Sequence, residues 1–323
     1  MGPMSNDRSG WAGAAIVLVA ASLFASLGVL SRTAYDQGLV PFAFVTWRAA
    51  VGAAGLWLAI GLARTRGRAI VRWGSITPAA RRSLGFAILV GTALNLAIFT
   101  AFDHTSIALA LLGFYTYPAI VAGASVLLGR EALDRARVVA LVLALGGMVA
   151  VVLGGSDPAT TLRLDALGIG AALVAALCQA AFVLLSRGYA ALPTDQAMGA
   201  ILAGTAVIAA TLTIITGGPG ALTLPFGQAP LLGLLLVVGI FAAAVPSSLF
   251  LAGIRQLGAV RTGILMLAEP VVGVALAAIF LAEAVAPLQA AGGLTILVAA
   301  VIVQRETRRG DAPAPLAPAP GGL

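Results

Sequence analysis

Ten stretches of roughly twenty apolar residues follow one another along this chain, and each is long enough to cross a hydrocarbon core as a helix. To within a few residues they are 11–30, 40–63, 83–102, 106–129, 136–154, 165–186, 196–217, 230–251, 259–281 and 285–303. A membrane β-barrel is excluded, because its strands alternate apolar and polar residues at every second position. A soluble fold is excluded by composition. Of 323 residues, 60% are hydrophobic and 10% charged, against about a quarter charged in a soluble domain. The expected fold class is therefore all-α and integral to the membrane. The run from Trp11 to Leu30 is too long for the apolar core of a signal peptide and is read as a retained first helix. Links as short as Asp103–Thr105 force neighbouring helices to run antiparallel in a compact bundle.

All 19 basic residues are arginine, and they cluster beside alternate ends of the spans. If the N-terminus is cytoplasmic, sixteen arginines fall on the inside, Arg32 and Arg163 fall outside, and Arg48 falls within a span. That asymmetry places both termini in the cytoplasm under the positive-inside rule. It also accounts for the basic charge without a nucleic-acid partner. The lone Cys178 lies inside an apolar run and reads as a small packed hydrophobe. After residue 303 a basic cluster gives way to an Ala/Pro/Gly-rich tail, 304–323, whose composition predicts disorder.

The chain repeats itself weakly. Pro118 and Glu131 recur as Pro270 and Glu283, 152 positions later in both cases, and Leu-Ser-Arg occurs at 30–32 and 185–187. The first repeat is expected to occupy 11–154 and the second 165–303, with 1–10 as a cytoplasmic N-terminus and 155–164 as an external linker. Five spans per half is an odd number, so the second half enters the membrane inverted. Inverted halves that meet around a midplane site are a hallmark of secondary transporters.

The closing segment LGAVRTGILMLAEPVVGVALAAIFLAEAVAPLQAAGGLTILVAAVIV resembles the last helix pair of the EamA family in the drug/metabolite transporter superfamily. LALLGFYTYPAIVAGASVLLGREALDRARVVALVLALGGMVAVVL is its counterpart in the first half, and Trp47-Arg48 in the second span is similar to the family as well. The resemblance covers about 11–303. It implies a ten-helix basket around a central cavity, in a bacterial inner membrane. It also implies export of amino acids, related metabolites or drugs, with aromatic amino-acid exporters a near comparison in character. A lipid bilayer and a small-molecule substrate are the implied partners, a monomer is expected, and no cofactor or metal is called for. The halves differ at one point: Tyr117-Pro118 stands where the second half has Glu269-Pro270.

Pro118, Pro246 and Pro270 are hinge candidates, since proline removes a backbone donor and frees the carbonyl four residues earlier. Such a carbonyl must be met by protein or by cavity water. The following Ser247 and Ser248 are candidates to meet it at Pro246. Each kink is otherwise a purely structural bend. Glu269 is the one acidic residue at midplane, where an acid costs roughly 2.5–3.5 kcal/mol unless it faces a cavity or partner. It serves as a coupling or substrate site, or as a neutral acid bonding between helices. Arg48 lies about eight residues, roughly 12 Å, into its span. It meets a substrate carboxylate, pairs with Glu269, or snorkels to the outer interface. His104, in a short outer loop beside Asp103, is a charge or gating candidate. Asn95, Tyr115, Tyr117, Gln179 and Ser247 complete the cavity candidates, with helix packing as their alternative role. Asn95 and Ser247 are again 152 apart.

Other classes lack their signatures. There is no clustered nucleophile, ligand set or carboxylate pair for a membrane enzyme or lipid-handling protein. No charged ring or filter loop marks a channel, and no phosphate-binding G-x-x-x-x-G-K-[ST] segment marks an ATP-driven pump.

Overall fold

The computed structural model describes residues 4–129, 134–155, 165–280 and 285–305. The expected loop positions Glu131 and Glu283, the linker 156–164 and the tail from 306 onward lie outside the described residues. Among the described residues, ten helices are long and apolar enough to cross a membrane. In order they are Trp11–Asp36, Pro41–Thr65, Pro78–His104, Ile107–Leu127, Arg135–Gly154, Ala166–Tyr189, Thr194–Gly217, Ala229–Leu257, Ala259–Leu276 and Pro287–Gln304. They are called the first to tenth helices below.

Local chemistry fixes where these helices start. Prolines open the second and third at their first position, where a missing N–H costs nothing. Thr77, Ser106 and Asp134 cap the third, fourth and fifth by accepting from the N–H of Ala80, Leu109 and Arg137. Gly258, at φ +86°, turns the chain between the eighth and ninth helices in a conformation that favours glycine.

Several boundaries differ from the sequence reading, two of them at segments that carry arginine. The first helix continues through the polar segment Ser31–Asp36, beyond residue 30. Arg32 is thus a helical residue, donating to the Thr105 carbonyl at 2.6 Å. The sixth helix similarly runs on to Tyr189 and takes in Arg187. Hydropathy falls at both places before the backbone bonding ends.

Helix pairing reveals the symmetry. The second helix packs along the seventh and the fifth along the tenth, while the third packs along the sixth and the first along the eighth. A two-fold axis exchanging the halves maps the first two pairs onto themselves and swaps the last two. The fifth and tenth helices touch through glycine: a Cβ on Gly147 or Gly292 would lie 2.6 Å from the other's carbonyl oxygen. The fourth and ninth helices are broken at equivalent places. Their segments are Ile107–Phe114 and Tyr117–Leu127 in one, Ala259–Met266 and Glu269–Phe280 in the other. Both breaks sit just before the matched prolines, Pro118 and Pro270.

Apolar clusters lie toward both ends of the bundle. Leu39, Phe44, Phe99, Phe102 and Leu231 gather at the arginine-poor end. A larger cluster extends from Ile76, Tyr189 and Val260 at the arginine-rich end to Tyr115 and Tyr117 at mid-depth.

Candidate functional site

Between these clusters lies a central cavity of about 120 Å³. A single water needs roughly 10–15 Å³ by the same measure, so the space holds a small organic molecule or a cluster of waters. Arg48, Asn95, Tyr117, Gln179, Ser247 and Glu269 all line it. Six of the chain's 12 phenylalanines, Phe24, Phe99, Phe102, Phe114, Phe182 and Phe250, line it as well.

Arg48 is 5% exposed and does not snorkel. Its Nε and Nη2 donate to the Ala242 carbonyl at 3.3 and 3.0 Å, and its Nη1 donates to Asn95 Oδ1. The Phe99 ring lies 5.3 Å from its guanidinium carbon, a cation–π distance. Ala242 is the residue four before Pro246, so its carbonyl is the one proline leaves without a helical donor. A π-helical turn, Ile240–Ala244, widens the eighth helix at this point. Arg48 therefore fills the role expected of Ser247 and Ser248. Ser248 Oγ is itself buried without a hydrogen-bond partner. No carboxylate among the described residues forms an ion pair with Arg48. The expected pairing with Glu269 is thus not formed.

Glu269 is 8% exposed and starts the second segment of the broken ninth helix. Tyr115, placed by the break in the fourth helix, donates its hydroxyl to Glu269 Oε2. The Tyr115 and Tyr117 rings are 6.0 Å apart, and the Tyr117 hydroxyl is buried with no partner. Tyr115 supports the acid from behind and is not itself a wall residue. Pro118 and Pro270 lie directly behind the site at the helix breaks. Asn95 is held by donating from Nδ2 to the Gly91 carbonyl at 2.7 Å, which fixes the side chain that receives Arg48.

His104 stands apart from the cavity. It ends the third helix, with Nδ1 3.4 Å from Asp165 Oδ2. The Leu167 N–H, then the Gly168 N–H and His104, hold the Asp165 carboxyl below its usual range.

Sequence reasoning missed the phenylalanine wall, together with Met198 and Thr205, which also line the cavity. In a lipid-embedded helix an apolar side chain facing a cavity carries the same hydropathy as one facing lipid. Clustering of half the phenylalanines around one space appears only once the helices are paired.

An inverted-repeat helical bundle with a buried, charged and aromatic midplane cavity defines a membrane carrier of small molecules. The sequence pattern of the EamA-like transporter family matches residues 11–153 and 166–305, and the chain belongs to that family. Its members are transporters rather than enzymes. A solved crystal structure of a protein 22% identical aligns with a TM-score of 0.75 over 93% of this chain and 99% of the other, which supports the fold. No curated protein matches the chain in sequence.

Proposed function

We propose that this carrier moves zwitterionic amino acids with apolar or aromatic side chains, by alternating access, outward from the arginine-rich end. The observation that carries the reading is one buried cation and one buried acid on the same aromatic-walled cavity without an ion pair between them. Arg48 presents a guanidinium suited to a carboxylate, and Glu269 offers a counter-charge to an ammonium. The six phenylalanines suit an apolar side chain. Sixteen arginines in the sequence segments expected on one side favour a cytoplasmic location for that side and for both termini. Matched helix breaks and the two-fold pairing of the halves support rocking of one half against the other.

The test is counterflow of labelled phenylalanine in proteoliposomes, with competitors that each lack one charge. N-acetylphenylalanine removes the ammonium, and phenethylamine removes the carboxylate. Each should compete at least about tenfold more weakly than phenylalanine, a difference of roughly 1.4 kcal/mol. Equal competition by phenethylamine would sink the role given to Arg48. Counterflow of another metabolite with none for any amino acid would discard the substrate class.

A further inference from the structure

We propose that Glu269 is also a proton-exchange site, reached by a route separate from the substrate's. Two cavities meet at this one carboxyl. The second, of about 310 Å³, lies between the first, fourth, fifth, ninth and tenth helices. Gly28, Ala108, Met148, Gly273 and Gln289 are among its walls, and it shares Glu269 with the central cavity. Gly155 just past the end of the fifth helix and Gln289 near the start of the tenth are among its walls, which places one end of this cavity at the arginine-poor end.

The two routes differ in chemistry. Among the described residues, Glu269 and Gln289 are the only polar side chains lining the second cavity, and neither Arg48 nor Asn95 reaches it. A zwitterion there would leave its carboxylate against apolar walls without a counter-charge, which is costly. Water carrying a proton needs only hydrogen bonds, and the polar groups at Gln289 and Glu269 provide them. From the fourth helix Tyr115 and Tyr117 face Glu269, and Arg48 of the second helix lines the shared central cavity. Among the described residues, the first, fifth, eighth and tenth helices place no titratable side chain on either cavity wall.

This inference rests on the zwitterion reading. Substrate ammonium and proton compete for one carboxylate. A proton arriving through the second cavity neutralises Glu269 and releases the zwitterion. The next zwitterion, bound from the arginine-rich end, displaces that proton to the same side. One proton crosses for each zwitterion. Since the zwitterion has no net charge, each cycle carries one positive charge across the membrane.

Gly273→Leu separates the routes. A Cβ at Gly273 meets nothing within 4 Å, so the leucine fills open space, and Gly273 does not line the central cavity. In proteoliposomes of the full chain, phenylalanine counterflow at equal pH should stay within about twofold of the unmodified protein. Accumulation driven by an imposed pH gradient should fall at least about tenfold. Intact gradient-driven accumulation in the variant, or an equal loss of counterflow, would overturn the proposal. If the unmodified protein shows no phenylalanine counterflow, the substrate reading fails. The proton route is then read without substrate, from labelling of Glu269 by dicyclohexylcarbodiimide, an apolar reagent for protonated carboxyls. Labelling several-fold slower in Gly273→Leu supports the route, and equal rates overturn it.

Discussion

At the scale of single residues, the site is organised by a backbone defect. Pro246 removes a donor, and Arg48 supplies the replacement from another helix, 194 positions before the Ala242 carbonyl that it serves. Losing Arg48 therefore strands a buried carbonyl, at about 1–3 kcal/mol, besides removing a charge from the cavity. Pro246→Ala returns an N–H to the eighth helix and makes that carbonyl less dependent on Arg48. Arg48→Ala is accordingly expected to lower thermal stability in detergent less in the Pro246→Ala background than in the native one. A coupling of about 0.5–3 kcal/mol is the range for residues sharing a partner. Additive losses across the double-mutant cycle would mean the two residues act independently. The depth of Arg48 was legible in the sequence because an arginine inside an apolar run is conspicuous. Its partner was not. Serines next to the proline were the nearest polar groups along the chain, whereas the true donor depends on how the second helix lies against the eighth. The same limit hid the bond between Tyr115 and Glu269, although the mismatch of Tyr117 with Glu269 pointed to the right place.

At the scale of helices, ten spans and the two proline breaks could be read directly, because length and apolar content decide a membrane helix. The contacts between helices could not, since small residues are abundant on many faces. Gly146 and Gly147 show the problem. They are neighbours on the fifth helix, yet a Cβ on Gly146 meets nothing within 4 Å while one on Gly147 meets the Gly292 carbonyl at 2.6 Å. The helix-propensity gain from glycine to alanine, up to about 1 kcal/mol, applies to both. Only Gly147→Ala must also push the tenth helix away, and overpacking costs typically about 1–3 kcal/mol. Gly146→Ala is therefore expected to hold or raise the unfolding temperature in detergent, and Gly147→Ala to lower it. The same sign for both variants would show that the fifth and tenth helices do not rest on this close approach.

At the scale of the whole molecule, the two-fold relation predicts that the ends of the cavity open in alternation. Each end has its own arginine latch. Arg32 donates to the Thr105 carbonyl at 2.6 Å at the arginine-poor end. At the other end Arg255 donates to the Leu192 carbonyl at 2.8 Å and to Thr194 Oγ1 at 3.0 Å. Both latches tie one helix to the link between two others, so both oppose separation of helices at their own end. Hydrogen bonds from charged groups contribute about 1.5–3 kcal/mol each. Since about 1.4 kcal/mol is tenfold in an equilibrium, removing one latch should shift the balance of open forms by about that factor. Ser247, on the cavity wall, offers a reporter as Ser247→Cys after the native thiol is removed by Cys178→Ala. A charged thiol reagent that does not cross membranes is then added from one side at a time. Arg255→Ala should raise the labelling rate several-fold from the arginine-rich side and lower it from the other, and Arg32→Ala should do the reverse. Both variants accelerating labelling from the same side would show that the arginines merely brace the bundle and that the symmetry of the halves does not extend to their motion.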